Sequence, residues 1–479
     1  MSTGGGLPFP PLYSHSLERT PFFSMLLHSL LFVVLGACHV QAKAVFASFM
    51  LVNSGSFDVA RWTANIQLAQ AAHIDAFCLN IAYGWPDNEK QIALAFTAAS
   101  AAGFKLFFSF DYPGSVNSTW PPDSVRPLLE TYSKSPAYYQ YDQYGGMPLV
   151  STFEGSGHAA DWKIINPNAS TYFFVPDYSS IGPGPALAAG GGRGVARGLA
   201  SRAAAWPTGT SNITAIIDAS YKELLLDDRP YMMPVSPWFF SNMPGFDRNW
   251  LWNSGDLWHQ RWQVVVSLDF QPEFLQIISW NDFGESHYIG PLDETQYDAF
   301  APGRGDAPYN YAEDMPHDGW REHLPYYIDL YKTGYANFTR ESIVTWFRTS
   351  LGGACAFGST TGGTVRQSQY ENDPLLLMPD RLYFSVLLSS YAGLEVTYGG
   401  QNYSIKDWDQ TPDGGVGVYH TSLAITTTSG PWTVNVVRDG AVIINYAVPQ
   451  GVFDSCPKGI TNWNAWVGSK QGGSIGCLA

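Results

Sequence analysis

From Lys43 to Trp280 the chain alternates short apolar runs with longer stretches of helical period, and no other feature narrows its fold so far. Segments 44–52, 74–82, 104–111, 147–153, 171–176, 231–237 and 274–280 read as strands. Segments 58–72, 88–102, 122–134, 213–226, 256–269 and 325–332 read as helices, the first with Asp58 as its N-cap. Strands separated by helices pair in parallel, and seven clear strands with one doubtful one match a (β/α)8 TIM barrel. An open doubly wound sheet is the competing arrangement. It usually carries a Gly-rich phosphate loop after its first strand, which Met50-Leu51-Val52-Asn53-Ser54-Gly55 does not supply. The Gly run at 190–194 follows no clear strand and lacks a Lys-Ser/Thr, so a nucleotide loop is a poor reading there too.

The rhythm breaks at 183–205, which is rich in Gly, Ala and Arg, and no acidic residue falls between Asp177 and Asp218. Such a stretch is either a flexible active-site loop or a segment from a misjudged exon boundary. Beyond about Thr339 the pattern changes to Val, Thr, Tyr and Gly in alternation. Asp439-Gly440 between two apolar runs is a strong hairpin signal, and Gly399-Gly400 is similarly placed. The expected layout is a leader at 1–42, a catalytic barrel at 43–338 and a C-terminal antiparallel β-sandwich at 339–479. There are no internal repeats.

The expected compartment is extracellular. The apolar run from Phe22 to Cys38 is followed by Val40-Gln41-Ala42, whose small residues suit signal peptidase, so cleavage is expected before Lys43. Translation from Met25 would leave a more compact signal. An uncleaved anchor is the alternative, although the run falls short of the ~20 residues of a bilayer span. Sequons at Asn117, Asn168, Asn212, Asn337 and Asn402 agree with secretion. Of the remaining cysteines, Cys78 in its apolar run reads as a buried thiol. Cys456 and Cys477 could staple the C-terminus, with the pairing among Cys355, Cys456 and Cys477 left open. A net charge of −15 without a basic stripe excludes nucleic acid and anionic membranes as partners. Charged residues are only 14%, against a usual ~25%. With 17 Trp and 27 Tyr, the chain has rings either for stacking on sugars or for a large aromatic core.

In such a barrel, function collects where strands end. Those ends carry Asn80, Asp111, Asp177, Trp238, Asp282 and Glu285. Several carboxylates beside tryptophans suit glycosidic cleavage, where one carboxyl donates a proton and another, ionised, handles water or the anomeric carbon. The candidate catalytic residues are Asp282, Glu285 and Asp111; the candidate substrate contacts are Asn80, Trp238, Trp280, Asn281, His287 and Tyr288. Bland readings stand beside these. Asp282 and Glu285 could cap a helix, Asp111 could cap the next one, Trp238 could be core, and His287 could be a packed histidine. Asp177 in Pro176-Asp177-Tyr178 is better explained as a turn residue, and Asp75 as structural. His317, Asp318, Glu322 and His323 lack metal-site spacing, so no metal and no cofactor is expected. Gly155-Ser156-Gly157 is not a nucleophile elbow, which leaves a serine hydrolase unsupported.

The sequence resembles the fungal α-1,3-glucanases, or mutanases, of glycoside hydrolase family 71. The resemblance rests on Val45-Phe46-Ala47-Ser48-Phe49-Met50, Ile74-Asp75-Ala76-Phe77-Cys78-Leu79-Asn80 and Phe104-Lys105-Leu106-Phe107-Phe108-Ser109-Phe110-Asp111. It continues through Val150-Ser151-Thr152-Phe153, Phe174-Val175-Pro176 and Val235-Ser236-Pro237-Trp238-Phe239. Above all it rests on Trp280-Asn281-Asp282-Phe283-Gly284-Glu285-Ser286-His287-Tyr288-Ile289-Gly290-Pro291. It implies a barrel with an appended sandwich, acting on α-1,3-glucan with inversion; an endo-acting monomer is the accompanying expectation, with exo action left open. Asp282 would be the general base and Glu285 the general acid, with carboxyls ~6.5–9.5 Å apart. Two departures stand out: Ser48, where the family usually has His, and Arg202-Ala203-Ala204-Ala205-Trp206-Pro207, where it shows a Ser-Trp-Asn-Ala-Trp-Pro-like run. A glucan-binding protein without catalysis is therefore the alternative function.

Overall fold

The computed structural model describes residues 43–226, 229–367 and 369–475. Eight short strands run parallel: β1 (Ala44–Met50), β2 (Ala76–Ala82), β3 (Lys105–Asp111), β4 (Met147–Phe153), β5 (Phe173–Phe174), β6 (Leu199–Ala200), β7 (Tyr231–Val235) and β8 (Phe274–Ile277). β1 lies between β2 and β8; the ladder continues through β3, β4 and β5 on one side and through β7 and β6 on the other. These strands read as near-continuous apolar runs because both faces are covered. In β1, Val45, Phe46, Ala47 and Phe49 are all fully buried.

The layers outside come from α1 (Val59–Ala71), α2 (Asn88–Ala102), α3 (Pro122–Tyr132), α4 (Ile216–Leu225), α5 (Leu257–Ser267) and α6 (Leu324–Thr333). The Asp58 side chain accepts a hydrogen bond from the Arg61 N–H at the start of α1, as its N-cap position predicts. Gly103 ends α2 in the left-handed region at φ 66°, which a Cβ would strain. Helical cover thins after β4 and β5, where the described α-helices are only Trp162–Ile165 and Pro183–Ala188, beside short 3-10 turns. The observed lobe is thus a mixed α/β structure around a curled parallel sheet. Between β5 and β6, pairing passes through a single residue: Asp177 bridges to Phe153 of β4 and to Ala200 of β6.

After α6 the chain forms two antiparallel sheets from β9 (Arg340–Phe347), β10 (Arg381–Leu388), β11 (Gly393–Tyr398), β12 (Gln401–Ile405), β13 (Gly417–Ala424), β14 (Trp432–Arg438), β15 (Ala441–Val448) and β16 (Trp466–Ser474). Their orders are β13-β10-β9-β16 and β12-β11-β14-β15. Both expected hairpins are present: Gly399 and Gly400 join β11 to β12, and Asp439 and Gly440 join β14 to β15. Alternation in the first sheet serves two cores. Val344, Trp346, Tyr383 and Leu387 join the α/β core, while Ile343, Phe347, Phe384 and Val386 join the core between the two sheets. The Trp346 indole N–H donates to the Gly255 carbonyl at 2.7 Å, which ties the lobes together.

The expected Cys456–Cys477 pairing is corrected by the disulfide observed, Cys355–Cys456, which closes a loop of 101 residues. Cys477 lies outside the described residues, as do the leader segment and Met25. Cys78 is a buried free thiol, as its apolar run implied. No helix among the described residues is long and apolar enough to cross a membrane. All five sequon asparagines are exposed.

A buried ion pair sets the spacing of α4, α5 and β7. Arg261 grips Asp218 through both guanidinium nitrogens at 2.7 and 2.8 Å, and its Nε donates to the Pro234 carbonyl. The Tyr231 hydroxyl donates to the same carboxylate, and neither charged side chain is exposed. Asp218→Ala should cost about 3–5 kcal/mol, read from denaturant unfolding, because it strands a buried guanidinium. Changing Arg261→Met and Asp218→Leu together should cost far less; an equal loss would contradict this account.

Candidate active site

β8 ends at Ile277, and the chain then follows an irregular loop rather than a helix. The helix-cap reading of Asp282 and Glu285 is therefore set aside, although the Asp282 carboxylate does accept the Glu285 N–H at 3.1 Å within the turn. The loop is fixed from below. Ser279 Oγ accepts the Asp282 N–H and contacts His287 Nδ1 at 2.9 Å, and the Trp280 N–H donates to the Ser48 carbonyl. Asn281 accepts the Met50 N–H and donates to Gln296.

Glu285 is the centre of the cluster. His287 Nε2 lies 2.9 Å from one of its oxygens and 3.9 Å from Asp282, and Arg248 forms a close ion pair with the other Glu285 oxygen. Burial alone would raise the Glu285 carboxyl, but Arg248 and His287 outweigh it and hold the group down to about 2. Asp282 moves the other way. Burial raises it and the Glu285 charge raises it further, against His287, Arg248 and Arg202. Donor atoms of Asp282, Glu285 and His287 lie within 4.8 Å of one another. At least one oxygen of each carboxyl thus approaches the other closer than the ~6.5–9.5 Å separation of an inverting pair. The trio has ligand types for a cation, but Arg248 already occupies Glu285.

Asp111 ends β3 and is buried; burial raises its carboxyl, while the Gly114 N–H and the charges of Arg202 and Arg248 oppose the rise. Asn80 flanks Asp111 from β2, and its amide nitrogen makes no hydrogen bond of good geometry within the protein. Asp177, expected to be a turn residue, is buried beside Arg202 at 3.7 Å. Asp75 sits at the opposite end of β2, holding the Val45 N–H and Lys332.

Several aromatic candidates are placed in the core instead. Trp280 is fully buried, donating to Asn65 and packing on Phe77. Trp238 is buried, donates to the Trp463 carbonyl and packs on Trp320. Tyr288 is buried against Phe283 and His317, with its hydroxyl tied to the Met315 carbonyl. Asn281 is committed to the loop. His317 and His323 are separately satisfied, by two backbone carbonyls and by Ser342.

The cleft itself, about 610 Å³, has walls that strand-end reading missed: Trp206, Phe239, Trp250 and Trp252, with Arg202 and Arg248. Trp206 packs edge-on to Phe239 and lies over His287, while Phe239 stacks on Trp250 at 6.1 Å. Arg248 and Trp250 come from an antiparallel ribbon, Phe240–Met243 with Arg248–Leu251, which is braced by Thr361–Gly362. The Trp250-Leu251-Trp252 run was the one available signal. A larger cleft of about 890 Å³ is lined by Lys163, Arg193, Arg197 and Arg229 and no described carboxylate, so it offers no acid–base pair.

Buried carboxyls of opposed proton affinity, under an aromatic wall at the end of a parallel strand, define a glycoside hydrolase. Sequence comparison is more specific: residues 41–477 match glycosyl hydrolase family 71, and the chain belongs to that family. It is 32% identical to a mutanase of Penicillium rubens, over 90% of both chains. It is 30% identical to a glucan endo-1,3-alpha-glucosidase of Schizosaccharomyces pombe, over 89% of this chain and 94% of that one. An ascus wall endo-1,3-alpha-glucanase of the same yeast is 27% identical, over 60% of this chain and 66% of that one.

The opposed carboxyls make a stability prediction. A folded value of about 2 against ~4.3 unfolded adds stability above the unfolded value, lost as pH falls through the folded one. A raised Asp282 does the reverse, costing stability once pH exceeds its unfolded value. Near neutral pH, Glu285→Gln should lower the thermal midpoint while Asp282→Asn leaves it unchanged or raises it. Equal falls in both variants would contradict the assignment.

Proposed function

We propose that the protein is a secreted, monomeric hydrolase that cleaves α-1,3-glucosidic bonds within wall glucan, without a cofactor. The observation that carries this is Glu285 in the wall of an aromatic cleft with Asp282 beside it in the same turn, in a chain matching α-1,3-glucanases over about nine-tenths of its length. The curled sheet is read as a (β/α)8 barrel closed through Asp177, supported by that residue's parallel bridges to both neighbours. The barrel is taken to span 43–338 and the sandwich 339–479.

Of the two carboxyls Asp282 is the one pushed toward keeping a proton, by burial and the Glu285 charge, while Arg248 and His287 hold Glu285 ionised. The family resemblance puts the acid on Glu285 instead. The two agree when a bound sugar draws Arg248 off Glu285, which raises Glu285 and lets the proton cross from its neighbour. Glu285 then protonates the departing oxygen, and Asp282, now ionised, activates water. Asp111, with Asn80 beside it, lies on the same rim as a third carboxyl facing the sugar. Inversion rests on the resemblance, and the short carboxyl spacing counts against it, so the anomer first released decides. Binding without catalysis is the second reading, favoured by the clamp of Arg248 on Glu285.

On insoluble α-1,3-glucan the protein should release reducing ends, and Asp282→Asn and Glu285→Gln should each lower turnover by at least ~10²-fold. An α-1,3-oligosaccharide with an activated fluoride leaving group needs no acid. It should restore Glu285→Gln but not Asp282→Asn; the converse pattern would reverse the two roles. Binding without release by the wild type would establish the second reading. A first product with the α-anomer, seen by NMR, would exclude inversion.

A further inference from the structure

The segment that broke the sequence rhythm delivers Arg202 into the cleft just after β6. Its backbone N–H donates to Ser179 Oγ at 2.8 Å, which fixes the residue at its root. Its guanidinium lies 4.1 Å from the Phe153 ring centre and 3.7 Å from the buried Asp177 carboxylate. From there it reaches to β1, where Nη2 has one long hydrogen bond, 3.5 Å, to Ser48 Oγ. The side chain is only 16% exposed. A guanidinium carries five N–H donors. With one long bond and one ion pair beyond hydrogen-bond distance, most of these donors are available to a ligand in the cleft that Arg202 lines.

Around this cation stand the carboxylates of the bowl. The charge of Arg202 acts on Asp111, Asp177, Glu154, Asp282 and Glu285, in every case favouring the ionised form. Arg248, the other cation of the cleft, is spent on Glu285 and is more exposed, at 42%. Arg202 is therefore the cation held in place when Arg248 moves. The two positions that depart from the family pattern, 48 and 202, are also in contact. A short Ser on β1 leaves the room that a long Arg from β6 fills.

We propose that Arg202 is a substrate-binding residue of the innermost sugar subsite. Its guanidinium donates to a glucosyl hydroxyl in the cleft that Arg202 and Glu285 both line, and its charge sets the pH range in which the carboxyl pair works. This rests on the glucan-hydrolase reading for the identity of the sugar but not for the role of the cation.

Removing Arg202 alone would strand Asp177, so the variant is Arg202→Met with Asp177→Asn, set against Asp177→Asn alone and against Arg202→Lys. Each is assayed for kcat and KM on a panel of α-1,3-, α-1,4- and β-1,3-gluco-oligosaccharides, and titrated with the same sugars by calorimetry. On whichever glucan the wild type takes, the double variant should raise KM or Kd by about tenfold or more. Measured against Asp177→Asn alone, so that loss of the aspartate charge cancels, loss of the positive charge raises the neighbouring carboxyls, and both limbs of the kcat/KM profile should move to higher pH. Arg202→Lys should restore the limbs and not the KM, since an ammonium keeps the charge without the planar fork. Unmoved limbs and an unchanged KM in a folded double variant would overturn the proposal. So would a loss of activity that only follows a fall in thermal midpoint. A wild type that takes only another glucan would refute the α-1,3 reading while leaving Arg202 testable on that sugar.

Discussion

The contact on which the site depends is the one between Glu285 and its two cationic or potentially cationic neighbours, Arg248 and His287. Remove both and a buried carboxylate beside Asp282 has only the charge of Arg202 to keep it ionised, because desolvation and like charge both act against it. The fold serves that contact from three directions. β8 brings the loop with both carboxyls, the ribbon carrying Arg248 reaches over from after β7, and Thr361–Gly362 holds the ribbon from the C-terminal half. The sandwich region is thus part of the site's support and not merely appended to it.

This arrangement also explains the composition. The protein is poor in charge overall, yet it places at least four carboxylates and two arginines around one cleft. Each charge is expensive to bury alone and tolerable only in a network. Elsewhere the aromatic residues do what charges do in many proteins and hold elements together, as Trp346 and Trp238 do across the two halves through both packing and an indole hydrogen bond.

Where periodicity continues, the sequence was a good guide. α2 and β4 fall on the expected residues, Asp58 caps α1, and two Gly-containing turns make two hairpins. Past Ile277 the alternation stops, and with it any rule for which way a side chain points. Trp280, Asn281 and Tyr288 sit next to the carboxyls in sequence yet face the core or hold the loop. Arg248, Trp250 and Trp252 were missed for the opposite reason. They lie on or just after an antiparallel ribbon inserted after β7, and strand ends do not point to them. The disulfide was illegible because its partners are 101 residues apart and local spacing says nothing about such a pair.

The stretch around Arg202 shows why a broken motif need not mean a broken site. Judged by sequence, Ala203 in place of the family's tryptophan removes part of a wall of the bowl. In space, Trp206 still packs against Phe239 and over His287, and the wall is completed by Trp250 and Trp252 from another segment. What enters with Arg202 is charge, in a place where several carboxylates would otherwise repel one another. A sugar hydroxyl can exchange hydrogen bonds with a fixed guanidinium at little reorganisation cost, because Ser179, Phe153 and Asp177 already hold it. Preorganised charge of this kind can compensate for lost stacking, and in the proposed reaction it ties substrate binding to the protonation state of the Asp282–Glu285 pair.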